Sequence, residues 1–137
     1  MDMASELRDL TIQVNAIIRT ISSNNGLTLP QANILSSIPT MGISLIDLSN
    51  KLGLDISTMS RNIKKLTNMN LIIKERNSSD LREYVILFTD NGEHVINKIN
   101  DDFSNLLTTI PSFSVNSKMR ELVEKMNWAL IKSRNVI

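Results

Sequence analysis

The chain has 137 residues, of which 42% are hydrophobic and 21% are charged, and its formal net charge is +1. This is the length and balance of one folded domain, or of one domain with a helical appendage. It contains no cysteine, which excludes disulfides, thiolate nucleophiles and cysteine-based zinc sites. The acidic start MDMASELRDL lacks the apolar core of a secretory signal, and no stretch approaches the roughly 18 apolar residues of a membrane helix. We therefore expect a cytoplasmic protein without a membrane segment.

Two helices are predicted before the first internal breakers. Residues 5–23 form the first, with Ser5 as its expected cap, because apolar residues recur at intervals of three and four. The members of this stripe are Leu7, Leu10, Val14, Ile17, Ile18 and Ile21. Thr28 is the expected cap of the second helix, and Pro39 and Gly42 break the chain after it.

The next segment predicts a helix, a tight turn and a second helix. Ser44 caps the first of them and Gly53 ends it in a left-handed conformation, while Asp55 caps a helix at 56–69 that Asn70 ends. The residues expected to face inward are Ile56, Met59, Ile63 and Leu66. Those left on the outer face are Ser57, Thr58, Ser60, Arg61, Lys64, Lys65 and Asn68. This helix is therefore amphipathic, with a polar and basic outer side.

A β-hairpin follows directly. The segments LIIKER and EYVILF are rich in β-branched and aromatic residues and flank the turn-forming segment NSSDLR. A helix capped by Thr89 or Asp90 and stopped by Pro111 comes next, and Ser114 or Asn116 caps a last helix. The expected fold is mainly α with a small β-hairpin, in which a winged helix-turn-helix lobe is joined to N- and C-terminal helices.

The positive charge is concentrated in this lobe. Between Arg61 and Arg82 there are six basic and two acidic residues, so this segment carries +4 in a chain of total charge +1. A basic helix beside a cationic hairpin suits double-stranded DNA, with the helix in the major groove. The residues assigned to DNA are Ser57, Thr58, Ser60, Arg61, Lys64, Lys65, Arg76, Asn77, Ser78, Ser79 and Arg82. The alternative for the helix is an ordinary solvated face.

Arg61 is expected to fork onto guanine, and Lys64 and Lys65 to contact phosphates. Arg82 is expected to enter the minor groove with Asp80 as its support, although a surface ion pair is the simpler alternative. The single histidine, His94, is without metal-ligand partners at useful spacing, so no metal and no cofactor are expected. No nucleophile–base arrangement or phosphate loop is evident, so the chain is not expected to be an enzyme.

The sequence resembles the MarR family of transcription regulators. The resemblance is carried by NLIIKER, by DLR in the wing and by VILFTDNG after it, and it extends over nearly the whole chain. It implies residues 28–90 as the DNA-binding lobe, and 1–25 and 91–137 as a helical region that pairs two subunits. The near-heptad stripe of the first helix also favours dimerisation, although packing within one chain is the alternative.

The resemblance further implies a homodimeric repressor of a palindromic operator, which a small aromatic or phenolic ligand releases. The alternative function is a winged-helix protein-interaction module without direct DNA readout, because this fold does not itself prove DNA binding.

Overall fold

The computed structural model describes residues 2–110 and 115–136. Within them the helices are α1 (Met3–Asn24), α2 (Leu29–Ser36), α3 (Leu45–Leu52), α4 (Ile56–Asn68), α5 (Asp90–Thr108) and α6 (Ser117–Ser133). The strands are β1 (Ile43–Ser44), β2 (Ile72–Arg76) and β3 (Tyr84–Phe88). The chain divides into two compact units, Met1–Phe103 and Ser104–Ile137. The mainly helical fold with a winged helix-turn-helix, expected from the sequence, is confirmed.

The core of the first unit is aliphatic and gathers side chains from α2, α3, α4, the sheet and α5. Seven of its members have no exposed surface: Ile34, Leu35, Leu48, Met59, Ile63, Leu66 and Ile86. Their burial anchors α4 along one side, so that its opposite side is left to solvent. At about 1.5–3 kcal/mol for each buried aliphatic side chain, this packing dominates the stability of the lobe.

The sheet is antiparallel, with strand order β1-β3-β2. β2 and β3 form the expected hairpin, whose ladder ends with Arg76 opposite Tyr84. The sequence did not predict β1, a two-residue strand that pairs Ile43 with Ile86 and Ser44 with Val85. The hairpin is thus fastened at its base to the residues that lead into α3.

Local capping fixes the helix-turn-helix as predicted. The Ser44 hydroxyl accepts from the Asp47 N–H at 3.1 Å, and Gly53 takes the left-handed conformation at φ 66°. Asp55 caps α4, and Asn70, at φ 60°, ends the turn after it. An asparagine tolerates this left-handed conformation better than most residues, so α4 has a defined start and end.

Two details differ from the predictions. The cap of α1 is Asp2, whose carboxylate accepts from the N–H of Ser5, so Ser5 lies inside the helix. Ile56 was expected to face inward, but 48% of it is exposed because it occupies the first position of α4, before the helix meets the core. Of the predicted alternatives for the later caps, the structure shows Asn116 at the start of α6 and Thr89 at the start of α5. The predicted roles of Pro111 and Ser114 lie outside the described residues.

The second unit contains the end of α5 and α6. No described residue of α6 is buried within the chain, and its exposed apolar side chains are Leu122, Val123, Trp128, Leu130 and Ile131. Ion pairs join Arg120 to Glu124 and Lys125 to Glu121 along its polar side. None of the helices in residues 2–110 and 115–136 has the length and hydrophobicity that a membrane-spanning segment needs.

Candidate nucleic-acid interface

The start of α4 is organised around the carboxylate of Asp55. It accepts from the N–H of Thr58 at 2.7 Å, from the hydroxyl of Ser57 at 2.7 Å and from the hydroxyl of Thr58 at 3.0 Å. These hydrogen bonds, with the charge of Arg61, lower the pKa of Asp55 to about 2. The carboxylate is therefore charged at neutral pH and holds the first turn of the helix rigidly.

This network limits how two hydroxyl groups can contact DNA. Ser57 and Thr58 are among the residues that the sequence assigns to DNA, and the hydroxyls of both already donate to Asp55. Their oxygens still have lone pairs and so can accept from base amino groups. The Thr58 oxygen lies 3.5 Å from Nη2 of Arg61, which brings the guanidinium towards the start of the helix.

The outer side of α4 is exposed and cationic. Ser60, Arg61, Lys64 and Lys65 are all accessible to solvent, as predicted from the helical period. Over the part of the chain that the structure describes, none of the three cations forms an ion pair with an acid. We call these four residues, together with Lys74 and Arg82 of the hairpin, the cationic surface.

A groove runs between α4 and β2. It is lined by Ser60, Lys64, Thr67, Asn68, Ile73 and Lys74. Two lysines and no acid line this groove, so its chemistry suits an anion such as a backbone phosphate. Lys74 was counted in the charge of the segment but was not assigned to DNA, because the sequence alone does not show that β2 brings it beside Lys64.

The wing, which we define as β2, β3 and the loop 77–83 between them, presents Arg82 to solvent. The Arg82 side chain is 92% exposed, and its Nε lies 3.2 Å from Oδ1 of Asp80. The same carboxylate oxygen accepts from the Arg82 N–H at 3.0 Å. These two interactions, the backbone one first, lower the pKa of Asp80. The structure thus brings Asp80 and Arg82 together as the sequence predicted.

Further hydrogen bonds close the loop of the wing. The Asn77 N–H donates to the Glu83 carbonyl at 2.8 Å, and the Glu83 N–H donates to the Asp80 carbonyl at 3.1 Å. The side chain of Asn77 accepts from the Ser79 N–H at 2.8 Å and donates to the Glu83 carboxylate at 3.3 Å. Asn77 was assigned to DNA, yet its amide is engaged within the loop, whereas Ser78 and Ser79 remain exposed.

Arg76 is also engaged within the wing. Its Nη1 donates to the carbonyl of Leu81, and its guanidinium carbon lies 5.0 Å from the centroid of the Tyr84 ring.

Ile56, at the exposed start of α4, is an apolar group that the sequence placed in the core. Thymine presents a methyl group in the major groove, and an exposed aliphatic side chain suits it.

A separate small cavity lies between α1, α2 and α5 in the first unit. Its volume is about 70 Å³, and it is lined by Ile18, Ala32, Asn33, Ser36, Ile96, Ile99, Asn100 and Phe103. The lining is mostly apolar with three amide or hydroxyl groups, but the volume is well below the roughly 300–1,000 Å³ of small-molecule sites. Across the described ranges, no cluster of three histidine, cysteine or carboxylate side chains is placed to hold a metal.

Solved structures with the same fold are numerous. A MarR transcriptional regulator from Methanosarcina mazei is 21% identical, with a TM-score of 0.76 over 98% of both chains. A mutant of MepR from S. aureus, bound to an oligodeoxyribonucleotide, is 16% identical, with a TM-score of 0.68 over 97% of this chain and 98% of that one. CouR from Rhodococcus jostii, bound to p-coumaroyl-CoA, is 18% identical, with a TM-score of 0.73 over 94% of this chain and 89% of that one.

These likenesses establish the MarR-type winged-helix fold. A comparison with curated protein sequences finds no significant match. The family described as transcriptional regulator SarA/Rot matches residues 16–99, which is more than half of the chain and includes α4 and the wing. The chain therefore belongs to the SarA/Rot family of transcriptional regulators.

Proposed function

We propose that this regulator binds double-stranded DNA sequence-specifically as a homodimer and represses transcription from a palindromic operator. The observation that carries the proposal is the cationic surface, where basic side chains of α4 and the wing are exposed on the accessible side of a winged helix-turn-helix. MepR in complex with an oligodeoxyribonucleotide has this fold. Such a regulator acts where the genome is, in the cytoplasm.

Each part of the surface has a role in this proposal. Arg61, exposed near the start of α4, forks onto guanine in the major groove, while Lys64, Lys65 and Lys74 contact phosphates. Arg82 enters the minor groove, where its exposed guanidinium meets a strong negative potential. If about 6–10 phosphates are contacted, affinity falls about 10³–10⁵-fold between 50 and 200 mM salt.

The proposed dimer uses helices outside the lobe. α1 carries exposed Met3 and Leu10 on one side, and α6 carries the apolar side chains given above. Unpartnered apolar faces on two terminal helices are typical of helices that bury them against a second subunit. A homodimer has two-fold symmetry, so its two lobes would read two inverted half-sites.

The proposed effector is a small aromatic or phenolic molecule that releases the repressor from DNA. The cavity between α1, α2 and α5 has a suitable lining, because apolar side chains surround a few hydrogen-bonding groups there, but at about 70 Å³ it has to widen before an aromatic ring fits. CouR, bound to p-coumaroyl-CoA, shows that a protein of this fold can hold a ligand with an aromatic acyl group.

The test is selection of genomic DNA fragments by the purified protein, followed by anisotropy titration of the enriched fragment. We expect a palindromic site and steep salt dependence. Arg82→Ala should weaken binding while the protein remains folded, whereas Lys118→Ala, on exposed α6, should not. Equal affinity of the Arg82 variant and the wild-type protein would refute the assigned role of the wing.

One observation favours the alternative of a protein-interaction module. Ile46, Leu81 and Tyr84 are exposed apolar side chains near the base and loop of the wing, and apolar anchors are typical of protein interfaces. Failure to enrich any fragment, together with co-purification of one stoichiometric protein partner, would favour this alternative over DNA binding.

A further inference from the structure

We infer that Arg76 is a positioning residue of the wing, which acts on DNA through Arg82 instead of contacting DNA itself. This role rests on the proposed binding of DNA by the wing. It differs from the direct contact that the charge of Arg76 and its place in the hairpin predict. The peptide unit between Leu81 and Arg82 shows how one arginine governs the other.

This peptide unit is held at both ends. Its carbonyl oxygen, on Leu81, accepts from Nη1 of Arg76, and its N–H, on Arg82, donates to Oδ1 of Asp80 at 3.0 Å. A peptide unit is planar, so hydrogen bonds at its two opposite ends fix the orientation of the plane. The direction in which the Arg82 side chain leaves the backbone is therefore set before DNA is present.

Tyr84 holds Arg76 in place for this contact. The two residues are directly opposite each other in the β2–β3 ladder, so their side chains lie on one face of the sheet. The guanidinium lies 5.0 Å from the ring centroid, within the range of a cation–π interaction. A planar guanidinium can stack on the ring and donate to a carbonyl at once, whereas the compact ammonium of lysine does not stack in this way.

The two arginines of the wing thus differ in what they leave available. Arg76 has its planar face on Tyr84 and a terminal nitrogen on Leu81. Among the residues that the structure describes, Arg82 has hydrogen bonds only to Asp80, through its Nε and its backbone N–H, and its side chain is 92% exposed. The terminal nitrogens of Arg82 are the ones that face solvent, which makes Arg82 the contact and Arg76 its support.

A double-mutant cycle separates support from contact. The proteins are wild type, Arg76→Lys, Arg82→Ala and the double variant, and the measurement is affinity for the selected operator at one salt concentration. Lysine keeps the charge of Arg76, so long-range electrostatics are unchanged. We expect Arg82→Ala to weaken binding about 10- to 100-fold, as loss of one arginine contact does.

We expect Arg76→Lys alone to weaken binding by several fold, but by less than about twofold when Arg82 is already alanine. Additive effects in the cycle would overturn the inference, because a direct contact is lost independently of Arg82. Full affinity of the Arg76→Lys protein would also overturn it, since the fork and the stacking would then be dispensable.

NMR relaxation of the backbone amides in the free protein provides a readout that does not depend on DNA. We expect the order parameter of the Arg82 amide to fall from about 0.85 to below about 0.6 in Arg76→Lys and in Tyr84→Leu. Tyr84→Phe keeps the ring and should retain order. An unchanged order parameter in Arg76→Lys would refute the positioning of Arg82 by Arg76, independently of any result with DNA. If the Arg82 amide loses order in Arg76→Lys but the wild-type protein binds no DNA, the proposed function is refuted and the positioning of the loop by Arg76 stands.

Discussion

The hydroxyl of Thr89 donates to the backbone carbonyl of Asn70 at 2.7 Å, and so ties the start of α5 to the turn that follows α4. The Thr89 N–H adds a second bond, to the Leu71 carbonyl at 3.0 Å. Gly92, one turn into α5, lies so close to this segment that an added Cβ would be 2.0 Å from the Leu71 oxygen. The turn that follows the cationic helix and the start of α5 therefore meet backbone to backbone.

Gly92→Ala should destabilise the lobe, because the backbone at Leu71 must move to admit the methyl group. We expect a loss of about 1–3 kcal/mol, the usual range for overpacking. The measurement is the free energy of unfolding in urea. Gly26→Ala is a matched control for space, since nothing lies within 4 Å of its added Cβ, although its positive φ adds a backbone cost. A loss for Gly92→Ala no larger than that of the control would show that the close approach is unimportant.

Local rules explain how much of this fold can be predicted from sequence. The caps at Thr28, Ser44 and Asp55 and the left-handed ends at Gly53 and Asn70 are short-range features, and all appear in the structure. β1 is different, because a two-residue strand has no period and exists only through its pairing with β3. β1 forms through a tertiary contact, which local sequence patterns do not predict.

The candidate site divides along the same line. Helical spacing is sufficient to place Arg61, Lys64 and Lys65 on one exposed side. Two other features depend on how the hairpin packs and turns. Lys74 and Lys64 line the same groove, and Arg76 is hydrogen-bonded within the wing. Charge counting identifies the region, but only the fold distinguishes a side chain that faces solvent from one that holds a loop.

The free energy of unfolding below about pH 4 should include a contribution from the titration of Asp55. Its pKa is lowered to about 2 from 3.8, so the charged cap stabilises the folded state fully above about pH 4. This contribution is lost as the pH falls through about 2. Asp55→Asn retains a capping side chain that does not titrate.

The difference in unfolding free energy between the wild type and Asp55→Asn should therefore shrink between about pH 4 and pH 2. Chemical denaturation across this range measures it, and the other carboxylates are common to both proteins. A difference that stays constant with pH would mean that the charge of the cap contributes nothing.

The groove between α4 and β2 predicts a phosphate contact by Lys74. Lys74→Gln should weaken binding to all DNA sequences alike and reduce the slope of log affinity against log salt by about one. Anisotropy titrations at several salt concentrations, on the operator and on an unrelated duplex, measure both effects. Lys132→Gln on α6 removes the same charge far along the chain and should leave the slope unchanged. An unaltered slope for Lys74→Gln would place that lysine outside the DNA contact.

The exposed apolar residues of α6 predict that a charge there breaks the proposed dimer. Leu122 is 60% exposed within one chain, so Leu122→Asp should not disturb the fold of the subunit. In a dimer interface the buried leucine contributes about 1.5–3 kcal/mol, and a buried unpaired carboxylate costs more. We therefore expect the dissociation constant of the dimer to rise at least about tenfold.

Sedimentation equilibrium measures this constant, and circular dichroism confirms that the helices persist. Met41→Asp is the matched control, because Met41 is 90% exposed but belongs to the lobe outside the proposed dimer region. Leu122→Asp should also bind the operator more weakly, because a dissociated subunit reads only one half-site. Full operator binding should return at protein concentrations that re-form the dimer. A Leu122→Asp protein that dimerises as tightly as Met41→Asp would exclude this face of α6 from the interface.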